Sequence, residues 1–226
     1  MILTMDRKIT GVIFDVDGTL VDSNDAHASA WADALGEFGF AVDWQEVRQK
    51  IGKGGDKVIP EITGLDPDSE RGERLGARRS QIFAERYLPK LKPFPKVPEL
   101  LDRLEKAKLE MVVASSAKDA ELTPLLYLAG AERLLPKKTS ADDAERSKPD
   151  PDIIVAALEK AGRKPHEMLM IGDTPYDVEA AKKAGVQTIA FRSGGWDDAS
   201  LSDAIAIYDG VAALLADFDA SPLNRA

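Results

Sequence analysis

Two aspartates, Asp15 and Asp17, close an apolar run, TGVIFD (residues 10–15), and Gly18 and Thr19 follow at once in the stretch DVDGTLVDS. Further on, EMVVASS (110–116) ends in Ser115 and Ser116, and AERSKPDPD carries Lys148 in a turn-rich segment just before a helical stretch. EMLMIGD (167–173) ends in Asp173, with Asp177 one helical turn later. Gathered at one rim, carboxylates, a hydroxyl and an ammonium make a charge-balanced site for a phosphate and a metal. Asp15 and Asp173 offer the anionic oxygens that suit an octahedral Mg²⁺, which keeps several waters and takes one or two carboxylates together with a substrate phosphate. Ser115 and Lys148 then hold phosphoryl oxygens while the metal offsets growing negative charge, so phosphoryl transfer fits the inventory best.

Simpler readings compete. An acidic turn of this kind also occurs in calcium loops, but an EF-hand needs a later Gly and a closing Glu, and Gly18 comes too early. Asp173 would serve as a helix N-cap before TPYDVEAA. Ser116 competes with Ser115 and Lys118 with Lys148, and both lysines could contact phosphate.

These residues all need elements that aim them at one place. In open α/β sheets the ligand site lies outside the carboxyl ends of the strands, near the point where strand order reverses. The apolar runs read as buried strands, joined by a further one at VQTIAF (186–191) and a weaker one at DAIAIY (203–208). Amphipathic helical stretches lie between them at 98–108, 119–130, 151–162 and 174–185, and three close on Ala-Gly, a helix C-terminal signal. Such alternation predicts an α/β fold, a doubly wound, open, parallel sheet of Rossmann-like type with helices on both faces. It breaks once, between the first two strands, where the chain shows only helical patterning. Residues 1–21 and 95–226 are thus expected to form the α/β core and residues 22–94 an inserted helical domain. The tail ASPLNRA reads as frayed.

The composition narrows the chemistry. With no cysteine there is no disulfide, thiolate metal site or cysteine nucleophile, and with His27 and His166 the only histidines a multi-His site is excluded. A net charge of −9 argues against nucleic acid as a partner. The opening MILTMDRKIT is too short and wrongly ordered for a secretory signal, and no apolar stretch approaches a membrane span. A soluble, cytoplasmic protein acting on a small phosphorylated metabolite is the expectation; oligomeric state is not readable.

DVDGTLVDS, Ser115 after its strand, SKPDPD and GDTPYDVEAAKKAG, in this order, resemble the four motifs of the haloacid dehalogenase superfamily. The helical insert resembles that superfamily's cap, as in phosphoglycolate phosphatases and beta-phosphoglucomutases. The resemblance implies that Asp15 is the nucleophile of an aspartyl-phosphate mechanism and Asp17 the general acid and base. It implies metal ligation by the Asp15 carboxylate, the Asp17 backbone carbonyl and Asp173, with Asp177 in support. Gly18 would allow a tight turn and Thr19 would orient Asp17, both within the phosphate-binding set with Ser115 and Lys148.

In the insert, His27 and Trp31 share a helix face, and match a His and a Trp of beta-phosphoglucomutases; His27 is a candidate substrate contact and a cap core is the alternative. The segment IGKGGDK (51–57) reads as a loop able to close over the site, with Lys53 and Lys57 as solvated lysines or anion contacts. Gly55 stands where beta-phosphoglucomutases carry a phosphate-binding arginine, which favours a phosphatase over a mutase unless Arg78 or Arg79 compensates. A dehalogenase would need no second aspartate, so Asp17 argues for phosphate. A non-catalytic binding protein is the remaining alternative.

Overall fold

The computed structural model describes residues 8–224. Most of the opening segment weighed as a secretory signal, residues 1–7, lies outside the described residues, as do the last two residues of the tail. Six parallel strands form one sheet in the order β3-β2-β1-β4-β5-β6. They are β1 (Gly11–Phe14), β2 (Glu110–Ala114), β3 (Lys138–Thr139), β4 (Met168–Gly172), β5 (Gln187–Phe191) and β6 (Ala206–Tyr208). The chain runs outward from β1 through β2 to β3, then restarts on the other side with β4. Strand order therefore reverses between β1 and β4, and the crevice predicted for ligands opens beyond those two strand ends.

Both faces of the sheet are covered, which explains why β1 reads as a continuous apolar run. Val12 and Phe14 of β1 pack into one core with α5 (Val97–Lys106), α6 (Asp119–Leu128) and α9 (Val211–Ala216), while Ile13 faces another. That second core includes residues of α7 (Asp152–Ala161) and α8 (Pro175–Lys183). The doubly wound α/β expectation is met. Strand β3 was not foreseen: two residues at a sheet edge leave no apolar run to read. The tail corrects the expectation of fraying, because Ser221, Pro222 and Leu223 are buried and Leu223 joins the main core.

Between β1 and β2 the chain forms only helices among its regular elements; ahead of α5 these are α1 (Asn24–Glu37), α2 (Trp44–Arg48), α3 (Gly55–Thr63) and α4 (Glu70–Ile82), the last prolonged by a π turn over Phe83–Tyr87 and a short 3-10 turn over Leu88–Lys90. The chain leaves and re-enters the sheet region at one point. Phe94 N–H donates to the Leu20 carbonyl (2.9 Å), Asp22 N–H to that of Lys92 (3.1 Å), and Val21 bridges Pro93. Ser23 occupies the helix N-cap position of α1 but makes no capping bond. Its hydroxyl is used elsewhere. No helix of the described residues is long and apolar enough to cross a membrane.

Candidate active site

β1 and β4 end side by side, and the Asp15 N–H donates to the Ile171 carbonyl (2.9 Å), so Asp15 and Asp173 leave adjacent strand ends together. Lys148 arrives from the turn before α7 with its side chain fully buried. Its Nζ donates to Asp15 Oδ1 (2.6 Å) and to Asp177 Oδ1 (2.7 Å). The second Asp177 oxygen takes the Thr174 N–H (3.0 Å) and hydroxyl (2.7 Å), closing a capping box at the start of α8. Thr174, not Asp173, is thus the helix N-cap, which leaves the Asp173 carboxylate free for the site.

Asp173 is held by two residues from the β1 loop and α1. Asn24 Nδ2 donates to its Oδ2 (2.7 Å), and the Thr19 hydroxyl lies 3.0 Å from its Oδ1 and 3.2 Å from Asp15 Oδ2. This corrects the expectation that Thr19 orients Asp17: it bridges Asp15 and Asp173. Gly18 is required twice over. Its φ is +77°, and a Cβ there would sit 2.1 Å from both Asn24 Nδ2 and Asp173 Oδ2.

Asp15, Asp173 and Asp177 each bring a carboxylate oxygen within 4.8 Å of the others. Three buried carboxylates against one ammonium leave a deficit of positive charge. Burial pushes the Asp15 carboxyl well above its usual range, despite Lys148. Burial and then Asp177 push Asp173 up to about 7, against the hydrogen bonds from Asn24 and Thr19. Asp15 and Asp177 raise the Lys148 ammonium above its ordinary value even though burial opposes this. The buried Asn24 Oδ1 has no hydrogen-bond partner. An all-oxygen donor set with surplus negative charge fits a hard divalent cation. The Asp17 carboxylate does not belong to this cluster, whereas that of Asp177 does.

Asp17 faces the helical segment. Its Oδ1 accepts from the Ser23 hydroxyl (2.5 Å) and lies 2.6 Å from His27 Nε2. The other ring nitrogen, Nδ1, meets Arg79 Nη2, and a guanidinium only donates. Nδ1 is therefore the acceptor, and Nε2–H donates to Asp17. Burial pushes the Asp17 carboxyl up, but the His27 ring, the hydrogen bonds from His27 and Ser23, and Arg79 outweigh it and leave it below its ordinary value. His27 stacks on Phe83, ring centroids 4.1 Å apart. Arg79 Nη1 in turn donates to Glu121 Oε2 (2.5 Å), and the Ser80 hydroxyl to Glu121 Oε1 (2.6 Å).

A cavity of about 500 Å³ opens onto Asp15, Asp17, His27, Trp31, Ser115 and Ser116. Ser115 is buried at the end of β2, where its Oγ accepts from the Ala117 N–H (3.1 Å). Ser116 instead donates to the Gly52 carbonyl (3.0 Å), so the two serines face different partners. The 51–57 segment is docked on the sheet side. Gly54 N–H donates to Ser147 Oγ (2.9 Å), Ser147 N–H to Asp56 Oδ2 (3.1 Å), and Lys57 Nζ to Asp150 Oδ2 (2.7 Å). Lys53 is paired with Glu61 (2.6 Å), so both loop lysines are ion-paired and not free in solvent.

Asn24, Ser23 and Glu121 were not singled out in the sequence. Asn24 and Ser23 read as ordinary helix-start residues, and Glu121 as one more acid in the first turn of α6.

The haloacid dehalogenase-like hydrolase family profile matches residues 12–191. The N-acetylmuramic acid 6-phosphate phosphatase of Pseudomonas aeruginosa is 30% identical over 188 residues, 83% of this chain and 83% of that protein. The fructose-1-phosphate phosphatase of Escherichia coli is 26% identical over 190 residues, 83% of this chain and 99% of that one. The crystal structure of a hydrolase from Pseudomonas syringae superposes with a TM-score of 0.87 at 30% identity, covering 93% of this chain and 98% of that one. With the aspartate, lysine and aspartate clusters meeting at the switch point of a parallel sheet, and a match spanning most of its length, this chain belongs to the haloacid dehalogenase-like hydrolase family.

Proposed function

We propose that this hydrolase is a Mg²⁺-dependent phosphatase of small phosphate monoesters, of sugar-phosphate or phosphoglycolate type, working through an aspartyl-phosphate on Asp15. The observation that carries the reading is the division of labour between two neighbouring carboxylates. Asp15 sits against Lys148 and beside Asp173 and Asp177, while Asp17 opens onto the same cavity with a separate set of partners. Asp15, Asp173 and Asp177 would hold the metal, with the Asp17 carbonyl as a further ligand. Mg²⁺ bound there would offset the negative charge on the transferring phosphoryl oxygens.

An Asp15 oxygen attacks phosphorus and the ester P–O bond breaks. The leaving oxygen takes a proton from Asp17. Water then attacks the phosphorus of the acyl phosphate, Asp17 takes its proton, the bond to Asp15 breaks, and inorganic phosphate leaves. Asp17 is ionised in the described arrangement, as the second step requires. A phosphoryl dianion beside it raises its affinity for a proton and suits it to the first step. Ser115 and Lys148, with the Gly18–Thr19 turn, would hold the phosphoryl group.

We assign residues 22–94 as a cap that opens about the Leu20–Asp22 and Lys92–Phe94 crossings, and residues 1–21 and 95–226 as the core. Closed, such a cap excludes bulk water from the reaction. The mutase alternative needs a cation to hold a second phosphate. Arg78 is bound to Glu37 (2.6 Å) and Arg79 to Glu121, so neither compensates for Gly55.

The test is phosphate release from p-nitrophenyl phosphate, fructose 1-phosphate and 2-phosphoglycolate, with Mg²⁺ and with chelator. Mg²⁺-dependent release is expected, with Asp15→Asn slower by about 10³-fold or more while its Tm is kept. Undiminished turnover by that variant, or equal rates in chelator, would sink the reading.

A further inference from the structure

Away from Asp15 the cavity is walled by Trp31, Arg79, Ser80 and Glu121. An arginine in such a place normally receives an anion. Here its charge is already matched. Arg79 Nη1 lies 2.5 Å from Glu121, whose side chain is 8% exposed, and its Nη2 contacts His27 Nδ1. The guanidinium carbon lies 5.3 Å from the centre of the Trp31 ring and 5.2 Å from that of Phe83, so its position is fixed by aromatic walls as well as by Glu121. Its Nε is buried and has no hydrogen-bond partner. Glu121 and His27 take two of its five N–H donors, so what the residue still offers is hydrogen bonding with its charge already matched.

Lys53, also on the wall, is ion-paired with Glu61, which it shares with Lys50, and the lining also carries Asp68 and Glu73. Lys118 is the lining cation without an ion pair among the described residues, and it follows Ser115 and Ser116 on the loop that serves the phosphoryl end. A second anion at Arg79 would meet a guanidinium whose charge Glu121 already matches, and displacing Glu121 would leave a buried carboxylate uncompensated.

We propose that Glu121 is a specificity-determining residue: by neutralising Arg79 it makes this end of the cavity a site for an uncharged, hydroxyl-bearing leaving group. Esters that carry a second anion, a carboxylate or another phosphate, are rejected. This rests on the phosphatase reading and narrows it, favouring monophosphorylated polyols and sugars over phosphoglycolate-like acids and bisphosphates. A substrate hydroxyl oxygen accepts from an Arg79 Nη N–H that Glu121 and His27 do not take.

The test compares pairs of substrates that differ mainly in the second charge: glycerol 3-phosphate against 3-phosphoglycerate, and fructose 1-phosphate against fructose 1,6-bisphosphate. Taking the ratio of kcat/KM within one protein cancels losses common to both members of a pair. The native chain should favour the neutral member by about tenfold or more, the scale of like-charge repulsion in a partly desolvated site. Glu121→Gln should shrink that ratio by about tenfold, chiefly through a lower KM for the anionic member, and Glu121→Asp should retain it. A native ratio near one or inverted overturns the inference without recourse to any variant. An unchanged ratio in Glu121→Gln also overturns it. If p-nitrophenyl phosphate is still hydrolysed in either case, the phosphatase reading survives. A native chain that releases phosphate from no monoester overturns both.

Discussion

Asp173 depends on a missing side chain as much as on its own. Gly18 has positive φ, and the space a Cβ would occupy is filled by the Asn24 amide and the Asp173 carboxylate. Gly18→Ala therefore adds backbone strain and pushes the carboxylate out of the cluster. A loss of about 3 kcal/mol or more in urea melts is expected, from strain and overpacking together, with a larger loss of Mg²⁺-dependent turnover than the stability change explains. Near-native stability together with native turnover would contradict this account. At the same scale the tautomer of His27 follows from one rule: Arg79 can only donate, so the proton sits on Nε2 and points at Asp17. One histidine thereby passes the influence of a helix in the insert to the candidate acid and base.

Among the elements, α4 and α6 meet through Arg79, Ser80 and Glu121, and this pairing has a pH signature. Burial pushes the Glu121 carboxyl up, but Arg79, His27 and the hydrogen bonds from Ser80 and Arg79 outweigh it and hold it below its ordinary value of 4.5. A carboxyl lowered on folding contributes stability that is present above its unfolded value and is lost as pH falls through the folded one. Glu121→Gln should thus be less stable than the native chain by about 2 kcal/mol at neutral pH. The gap should hold down to about pH 5 and close below about 4.5, where the native residue protonates too. Urea melts of both proteins across this range check it, and a gap that widens with acid would refute it. The strand ends work differently. They set Asp15 and Asp173 side by side through backbone pairing alone, before any side chain is considered.

Across the whole molecule the helical insert and the sheet share one continuous apolar core. Trp31, Leu75, Ile82 and Phe83 of the insert belong to the same cluster as Phe14, Leu20 and Leu104. Calorimetry should give a single cooperative unfolding transition, since neither part keeps a closed core without the other. Two resolved transitions would show the insert folding independently. The alternating strands and helices, the purely helical stretch after β1 and the polar clusters that end β1, β2 and β4 were legible in the sequence, because the periodicity of buried strands and helices is local. Asp15, Asp17, Ser115 and Asp173 stood out as the polar ends of apolar runs, whereas Lys148 was preferred to Lys118 through its SKP setting and the resemblance to a family motif. What only the tertiary structure decided was how side chains far apart in sequence share partners. It set Thr19 between Asp15 and Asp173, packed the C-terminal Leu223 into the core and left β3 as a two-residue edge. Above all it brought Glu121 to Arg79, 42 residues away, and Arg79 to His27, 52 residues away. Such a pair leaves no periodic trace in the chain, since its energy exists only once α4 has folded over the start of α6.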